Sequence, residues 1–368
     1  MASSSPIPRS GRTVMMDTCA MRASLAVLGT AALLLLAGSG PASADGGADQ
    51  TFTIKDPRIT ESSGLAASRI HPGVYWTHND SEDGPYLYAV DSRTGETVAT
   101  VTMTGVGEPR DVEAISLGPD GNLYVGDIGD NLDGSWDHVW IYRLPEPKVL
   151  GDVTVRATQF DVTYADGARN AEALMVHPKT GRVWIASKNE DGGGLYEGPA
   201  HLSAGGNNVF RRVAEVPWVT DGAFSPDGTR LVLRGYLGAD AYTFDDGKLG
   251  DERGVGAPFM MQAESVTYTA DGTALMFGSE GKGSQVRRLD VKGTNAAQST
   301  PVPSASDGSS SAGGPAEAGG KASGGEKGEE GGGSGGSATG KGKALFGGLI
   351  AIIAVWLVLR TKSRRTGG

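Results

Sequence analysis

The chain has 368 residues, 43 acidic against 33 basic, a formal charge of −10 and a single cysteine. The imbalance lies in the middle, where residues 51 to 291 hold 35 acidic and 21 basic side chains; this argues against nucleic acid as a partner and for cations or small ligands held by a few basic groups. Cys19 precedes the first apolar run, so the exported part has neither a lipid-modified cysteine nor a disulfide and must rest on a large core, for which about 240 residues suffice.

At the N-terminus, Met21-Arg22 leads into an apolar run over residues 25 to 37, and Ala42-Ser43-Ala44 follows as a small-residue cleavage site. Residues 1 to 44 therefore read as a secretory signal peptide, with Met16 or Met21 as alternative starts, and the run is too short for a spanning helix.

Residues 45 to 291 are rich in short β-type runs separated by turn dipeptides, and five segments align. They are "SSGLAASRIHPGVYWTHND", "VEAISLGPDGNLYVGDIGD", "AEALMVHPKTGRVWIASKNE", "TDGAFSPDGTRLVLRGY" and "AESVTYTADGTALMFGSEG". Each runs through a short strand, turns at a Gly-containing motif such as PDG, KTG or ADG, and continues into a strand rich in aromatic and branched residues. Third strands follow ("YLYAVD", "HVWIYRL", "GLYEGP", "DAYTFDD", "QVRRLDV"), then more variable fourth strands such as "ETVATVTM" and "VRATQFDVTY". Starts 43 to 59 residues apart match four-stranded propeller blades. The expectation is an all-β propeller of five blades, or six if the long second interval hides one. The last segment lacks a fourth strand, and "TFTIKDPRI", residues 51 to 59, is a spare strand that can close the ring without leaving an open edge.

Residues 292 to 343 are Gly/Ser-rich and read as a disordered stalk. Residues 344 to 359, "ALFGGLIAIIAVWLVL", read as a short transmembrane helix, and the basic tail over 360 to 368 marks the cytoplasmic side. This predicts a monomer with a single-pass anchor, displayed on the extracellular face of the membrane. The same end is also similar to sorting signals that link bacterial proteins to the cell wall, although the Leu or Leu-Pro of such a signal is missing.

Aligned blades place Ser63, Glu113, Glu172, Asp221 and Glu264 at one equivalent position, at the start of the strand that lines the channel. The four carboxylates would converge near the axis and raise one another's pKa unless compensated. They read as metal ligands of an all-oxygen calcium site, or as acceptors for backbone amides of neighbouring blades. The ends of the second strands give a second polar ring: His78, Asn79 and Asp80; Asp127 with Asp130 and Asn131; Lys188; Arg234 with Tyr236; and Glu280. This ring reads as a ligand-binding surface, or as solvated loops shaped by Asx-type turns. Taken alone, "LYVGDIGDN" lacks the spacing of a calcium loop.

The set "HND", "DVEAIS", "LYVGDIGDN", "RNAEALMVHPKTGRVWIASK", "TDGAFSPDGTRLVLRGY" and "AESVTYTADG" resembles exported bacterial β-propeller proteins of the WD40-like, YncE-like or NHL-like kind. More distantly it is similar to esterase-like phytase and SMP-30/gluconolactonase propellers. The likeness implies a site around the channel mouth, with carboxylates on a divalent metal and basic residues on an anionic or lactone-type substrate. The full ligand pattern of those enzymes and the tryptophan-aspartate repeat of true WD40 domains are missing.

Two functions follow as expectations. One is a surface-tethered module that binds a small ligand, glycan or envelope protein at its top face. The other is a metal-assisted hydrolase of an ester, lactone or phosphoester. There Glu113, Glu172, Asp221 and Glu264 hold Ca²⁺, Lys188 and Arg234 neutralise an anionic group, and Asp127 or Glu280 is the general base.

Overall fold

Left-handed glycines set the turns on which the strands of the protein are hung. In the computed structural model, Gly73, Gly121, Gly181, Gly228 and Gly272 all have φ between 70° and 77°, each in the tight turn expected from its motif. The turn aspartates brace the same places: Asp227 Oδ1 accepts from the Ser225 hydroxyl and the Thr229 amide, and Asp271 Oδ1 accepts from Thr269 and Thr273 in the same manner.

The structure describes residues 49–292 except 82, 133 and 191. The expected signal peptide, nearly all of the stalk, the transmembrane helix and the basic tail lie outside the described residues. Among the described residues there is no helix long and apolar enough to cross a membrane.

Every regular element among the described residues is a strand. After β1 (Phe52–Thr53), the first meander is β2 (Ala66–Ala67), β3 (Val74–Thr77), β4 (Tyr86–Asp91) and β5 (Thr97–Thr104). Then come β6 (Val112–Leu117), β7 (Asn122–Asp127), β8 (Val139–Pro145), β9 (Val153–Arg156) and β10 (Thr158–Tyr164). The third meander is β11 (Ala171–Val176), β12 (Val183–Ser187), β13 (Gly193–Glu197) and β14 (Asn208–Val216). The fourth is β15 (Asp221–Phe224), β16 (Arg230–Arg234), β17 (Ala239–Asp245) and β18 (Lys248–Val255). The fifth opens with β19 (Ala263–Tyr268), β20 (Ala274–Ser279) and β21 (Gln285–Asp290), and β1 completes it by pairing antiparallel with β21, Phe52 opposite Val286. The inner strands β2, β6, β11, β15 and β19 pack side by side in that order and return to β2, which closes a ring. This is a β-propeller, and the N-terminal strand fastens its two ends.

The long second interval holds an extra strand. "VRATQFDVTY" divides at buried Ala157, so that β9 pairs parallel with β5 while β10 pairs with β8. A second parallel contact, Val162 to Tyr164 of β10 against Asn208 to Phe210 of β14, fuses the second and third meanders into one eight-stranded sheet.

The apolar core is divided among five clusters, each between neighbouring meanders. Trp76, Leu87 and Val101 meet Ile115, Leu123 and Tyr142; Ile141 and Phe160 meet Leu174 and Ile185; Trp184 and Leu195 meet Leu231 and Phe244. Ile54 and Phe52 of the closing segment pack on Tyr75, Tyr88 and Val286, which couples ring closure to burial. Ile54 is fully buried, and its amide donates to Ser284 O at 2.9 Å. Ile54→Ala is therefore expected to cost about 2–5 kcal/mol in urea unfolding; a loss under about 0.5 kcal/mol would show that the closing strand contributes little to the ring.

Candidate functional site

The inner strands begin, and the second strands end, at the same mouth of the ring, and β-bulges there decide where the acidic side chains go. β6 pairs Val112 with Asp127 and Ala114 with Gly126, leaving Glu113 as the extra residue. β11 does the same around Glu172, pairing Ala171 with Ser187 and Ala173 with Ala186. In β19 the register shifts between Ala263 and Val266, across Glu264 and Ser265. A bulge re-aims its side chain out of the strand's normal alternation. β15 has no bulge at Asp221, which stays in register opposite Arg234.

The expected metal ligands take different hydrogen-bond partners. Asp221 accepts from its neighbour Gly222 N at 2.7 Å and, across to the next meander, from Val266 N at 2.8 Å. That is the amide-acceptor role, and it joins the fourth and fifth meanders. Glu172 Oε1 accepts from Lys188 Nζ at 2.7 Å, an ion pair in which the glutamate is buried and the lysine side chain is 11% exposed. Glu113 accepts from Ser63 Oγ at 3.1 Å and gathers with Asp80 and Asp111, the oxygens of the three lying within 4.8 Å of one another. All three are buried. Gly129 lies close beside them: a Cβ there would stand 2.6 Å from Asp111 Oδ2 and 2.8 Å from Glu113 Oε1, so any other residue would displace the carboxylates.

Asp80 of the second ring thus joins this cluster, and Asp111 is a member that the alignment missed. Its only signal was a second acid two residues before Glu113, because the bulge at Glu113 takes the pair out of regular strand alternation. Asn131 adds a donor, its Nδ2 to Asp111 Oδ2 at 3.0 Å, while Asp130 accepts from Ser135 Oγ and Trp136 N and shapes the loop. Asn79 is taken up in structure, accepting from the amides of Thr60 and Glu61 and donating to Arg58 O and Asp83. His78 is buried, with Nδ1 3.2 Å from Asn79 O and no partner at Nε2.

Of the two expected bases, Asp127 is fully buried and receives three donors: the amides of Arg110 and Asp111 at 3.0 and 2.9 Å and the Tyr142 hydroxyl at 2.6 Å. It fixes the segment that carries Asp111. Glu280 accepts from Gln262 Nε2 at 3.0 Å; Gln262 is a non-glycine residue at φ 49° and so stores backbone strain beside the site. Tyr236 places its ring 5.4 Å from Lys188 Nζ and packs edge-on against Trp218. Arg234 is buried over the Phe277 ring, with Nε and Nη1 unpartnered.

Charge at this mouth is poorly balanced. Burial, then the charges of Asp80, Glu172 and Asp111, push Glu113 well above the ordinary carboxylate range. Burial also raises Glu264 and Asp221 well above it, with Lys188 opposing at Glu264 and the amides of Val266 and Gly222 opposing at Asp221. Burial alone would lower Lys188, but Glu172, Tyr236, Glu264 and Glu113 more than reverse this and hold it charged. Burial draws Arg234 down to about 10, against the pull of Glu264 and Asp221, and His78 down to about 4.

These features define a class: a β-propeller whose ionisable groups converge at one mouth of its axis. No protein-family model and no curated protein matches the chain. Solved structures do resemble it. The PQQ-bound aldose sugar dehydrogenase of Streptomyces coelicolor is 14% identical, with a TM-score of 0.40 over 66% of this chain and 99% of that one. A gluconolactonase of Xanthomonas campestris is 16% identical, with a TM-score of 0.40 over 65% and 78% of the two chains. A putative 6-phosphogluconolactonase of Bacteroides uniformis is 17% identical, with a TM-score of 0.36 over 64% and 69%. At such identities and scores these likenesses carry no argument about activity.

The raised carboxyls give a pH signature. Folded Glu113, Glu264 and Asp221 retain protons that the unfolded chain has shed, so their contribution to stability is full at low pH and is lost as pH rises toward their raised values. His78 is neutral in both states above its ordinary value of 6.5 and drops out there, and Lys188 stays charged in both states. In chelator, the melting temperature of the full chain is therefore expected to fall as pH rises through the window above 6.5, where His78 no longer contributes. Thermal melting that stays level or climbs over that window would contradict the assignment.

Proposed function

We propose that the protein is a five-bladed propeller that holds a divalent cation of the calcium type on Asp80, Asp111 and Glu113. On this reading it hydrolyses a small ester, lactone or phosphoester at that mouth. One observation carries the reading: three buried carboxylates whose oxygens lie within 4.8 Å of one another, in a region short of positive charge. The donors fit the ion, being all hard oxygens, and ligand distances of about 2.3–2.6 Å put opposite ligands about 5 Å apart. Bound there, a divalent cation supplies Lewis acidity toward a carbonyl or phosphoryl oxygen and makes a water easier to deprotonate.

The remaining roles fall to the chain's own side chains. Glu280, oriented by Gln262, takes the proton of the attacking water as its oxygen bonds to the carbonyl or phosphoryl centre. Glu264, which holds its proton because it is buried, gives that proton to the departing alkoxide as the old C–O or P–O bond breaks. The unpartnered Nε and Nη1 of Arg234, with charged Lys188, receive the oxygen on which negative charge grows. Asp127 is a positioning residue that acts through the backbone of Asp111.

The sequence outside the described residues favours a second reading, a tethered binding module. The expected stalk and the apolar run over 344 to 359 suit display on the outer face of the membrane, or on the cell wall, of a monomer that captures a glycan or envelope protein.

Chelator is expected to abolish ester turnover by the full chain and Ca²⁺ to restore it, with Glu280→Gln lowering kcat by about 10²–10⁴-fold. Ca²⁺ should also raise the melting temperature of the parent but not of Glu113→Gln. Turnover indifferent to chelator would remove the cation from the mechanism. No turnover together with retention of an envelope component would favour the binding module.

A further inference from the structure

The turns that join inner to second strands lie at the end of the ring opposite the carboxylates. There the second and third meanders line a separate cavity of about 240 Å³. One water needs only about 10–15 Å³ of such space, so the cavity has the size to hold a small molecule. Asp120 in the turn before β7, Tyr124 of β7 and Arg143 of β8 line it from the second meander. Lys179 in the turn before β12 and His201 in the loop after β13 line it from the third.

The charge left over in this cavity has the opposite sign to that at the mouth. Its one acid is engaged by its own turn: Asp120 accepts from Asn122 N at 3.2 Å, Asn122 Nδ2 at 2.7 Å and Tyr124 Oη at 2.9 Å. Arg143 and Lys179 are placed differently. Acids outnumber bases in the chain, and Arg182, three residues beyond Lys179, is paired with Glu197. Yet among the described residues neither Arg143 nor Lys179 belongs to an ion pair. Arg143 shares a hydrogen bond with Tyr124, which leaves most of the five N–H donors of its guanidinium. Pro119, Pro199 and Val183 supply apolar wall, beside which like charges are poorly screened and an anion between them is favoured.

The walls are fixed by the irregular part of the fold. Arg143 lies over the Phe160 ring, its Cζ 5.0 Å from the centroid. The loop that carries His201 is tied down by buried Asn208, whose Oδ1 accepts from Ser203 N at 2.8 Å and whose Nδ2 donates to Asp161 O at 2.8 Å and Ser203 O at 3.1 Å. Phe160 and Asp161 both belong to β10, the strand that fuses the two meanders. A ligand therefore meets a cavity that needs little ordering.

We propose that this cavity is a binding site for a phosphoryl group, free or esterified, held by the guanidinium of Arg143 and the ammonium of Lys179. A phosphoryl dianion matches two unit cations, where a carboxylate would match one. The planar fork of an arginine suits two phosphoryl oxygens and a lysine adds a point charge. His201 can donate one ring N–H to a third oxygen. The site stands apart from the mouth and does not depend on the hydrolytic reading.

Calorimetry on the full chain tests this, in chelator so that no cation at the mouth can attract phosphate. The probes are inorganic phosphate, glycerol 3-phosphate and, as the uncharged counterpart, glycerol. Both phosphates are expected to bind and glycerol is not. Lys179→Gln, at an exposed side chain on a turn, should weaken phosphate binding about tenfold or more, the worth of one charged hydrogen bond, and Lys179→Arg should retain it. Arg143→Met should weaken it at least as much, and if that variant fails to fold, the pair of Lys179 variants decides. Tighter binding of glycerol 3-phosphate than of inorganic phosphate would assign the site to a phosphate monoester, and equal binding to the free ion; both support the proposal. Phosphate binding unchanged in Lys179→Gln, no binding of either phosphate at millimolar concentration, or glycerol bound as tightly as its phosphate would overturn it.

Discussion

Lys188 and Arg234 stand among a surplus of buried carboxylates at the mouth of this ring, and the surrounding architecture answers that imbalance. A carboxylate removed from water is costly unless it is paired, hydrogen-bonded or protonated. Here each solution is used at a different residue. Lys188 pairs with Glu172, two backbone amides hold Asp221, and burial keeps a proton on Glu264. Ser63 donates to Glu113 and Asn131 to Asp111, and together with Asp80 these carboxylates lie close enough to share one cation.

The means of delivering these side chains is a local irregularity repeated around the ring. Bulges at Glu113, Glu172 and Glu264 break the regular alternation of their strands, whereas Asp221, on a regular strand, binds amides. A shorter acid on an unbulged strand serves as a joint between meanders, and longer acids on bulged strands serve the mouth. Four residues that look equivalent by alignment are therefore two kinds of residue by geometry.

The fold was legible because its signals are local. A glycine that must adopt positive φ announces its turn, and strands such as "YLYAVD" fall where the sequence places them, as β4 does. The spare N-terminal strand could be assigned because the fifth meander lacked a partner for β21. Parallel pairing has no comparable signature, so the division at Ala157 between β9 and β10 was hidden inside what reads as one strand. The site was legible as a region and less so as a set of atoms. A bulge is a register event that depends on the partner strand. Asp127 looked poised for chemistry because nothing in the sequence shows that two amides and a tyrosine hydroxyl already converge on it.

The direction in which the chain leaves the ring has a bearing on access. β20 rises to the mouth at Ser279, β21 descends from it to Asp290, and β1, antiparallel to β21, begins at the lower end. Both ends of the described chain therefore depart from the side opposite the carboxylates. The carboxylates at the mouth are therefore clear of both ends of the described chain.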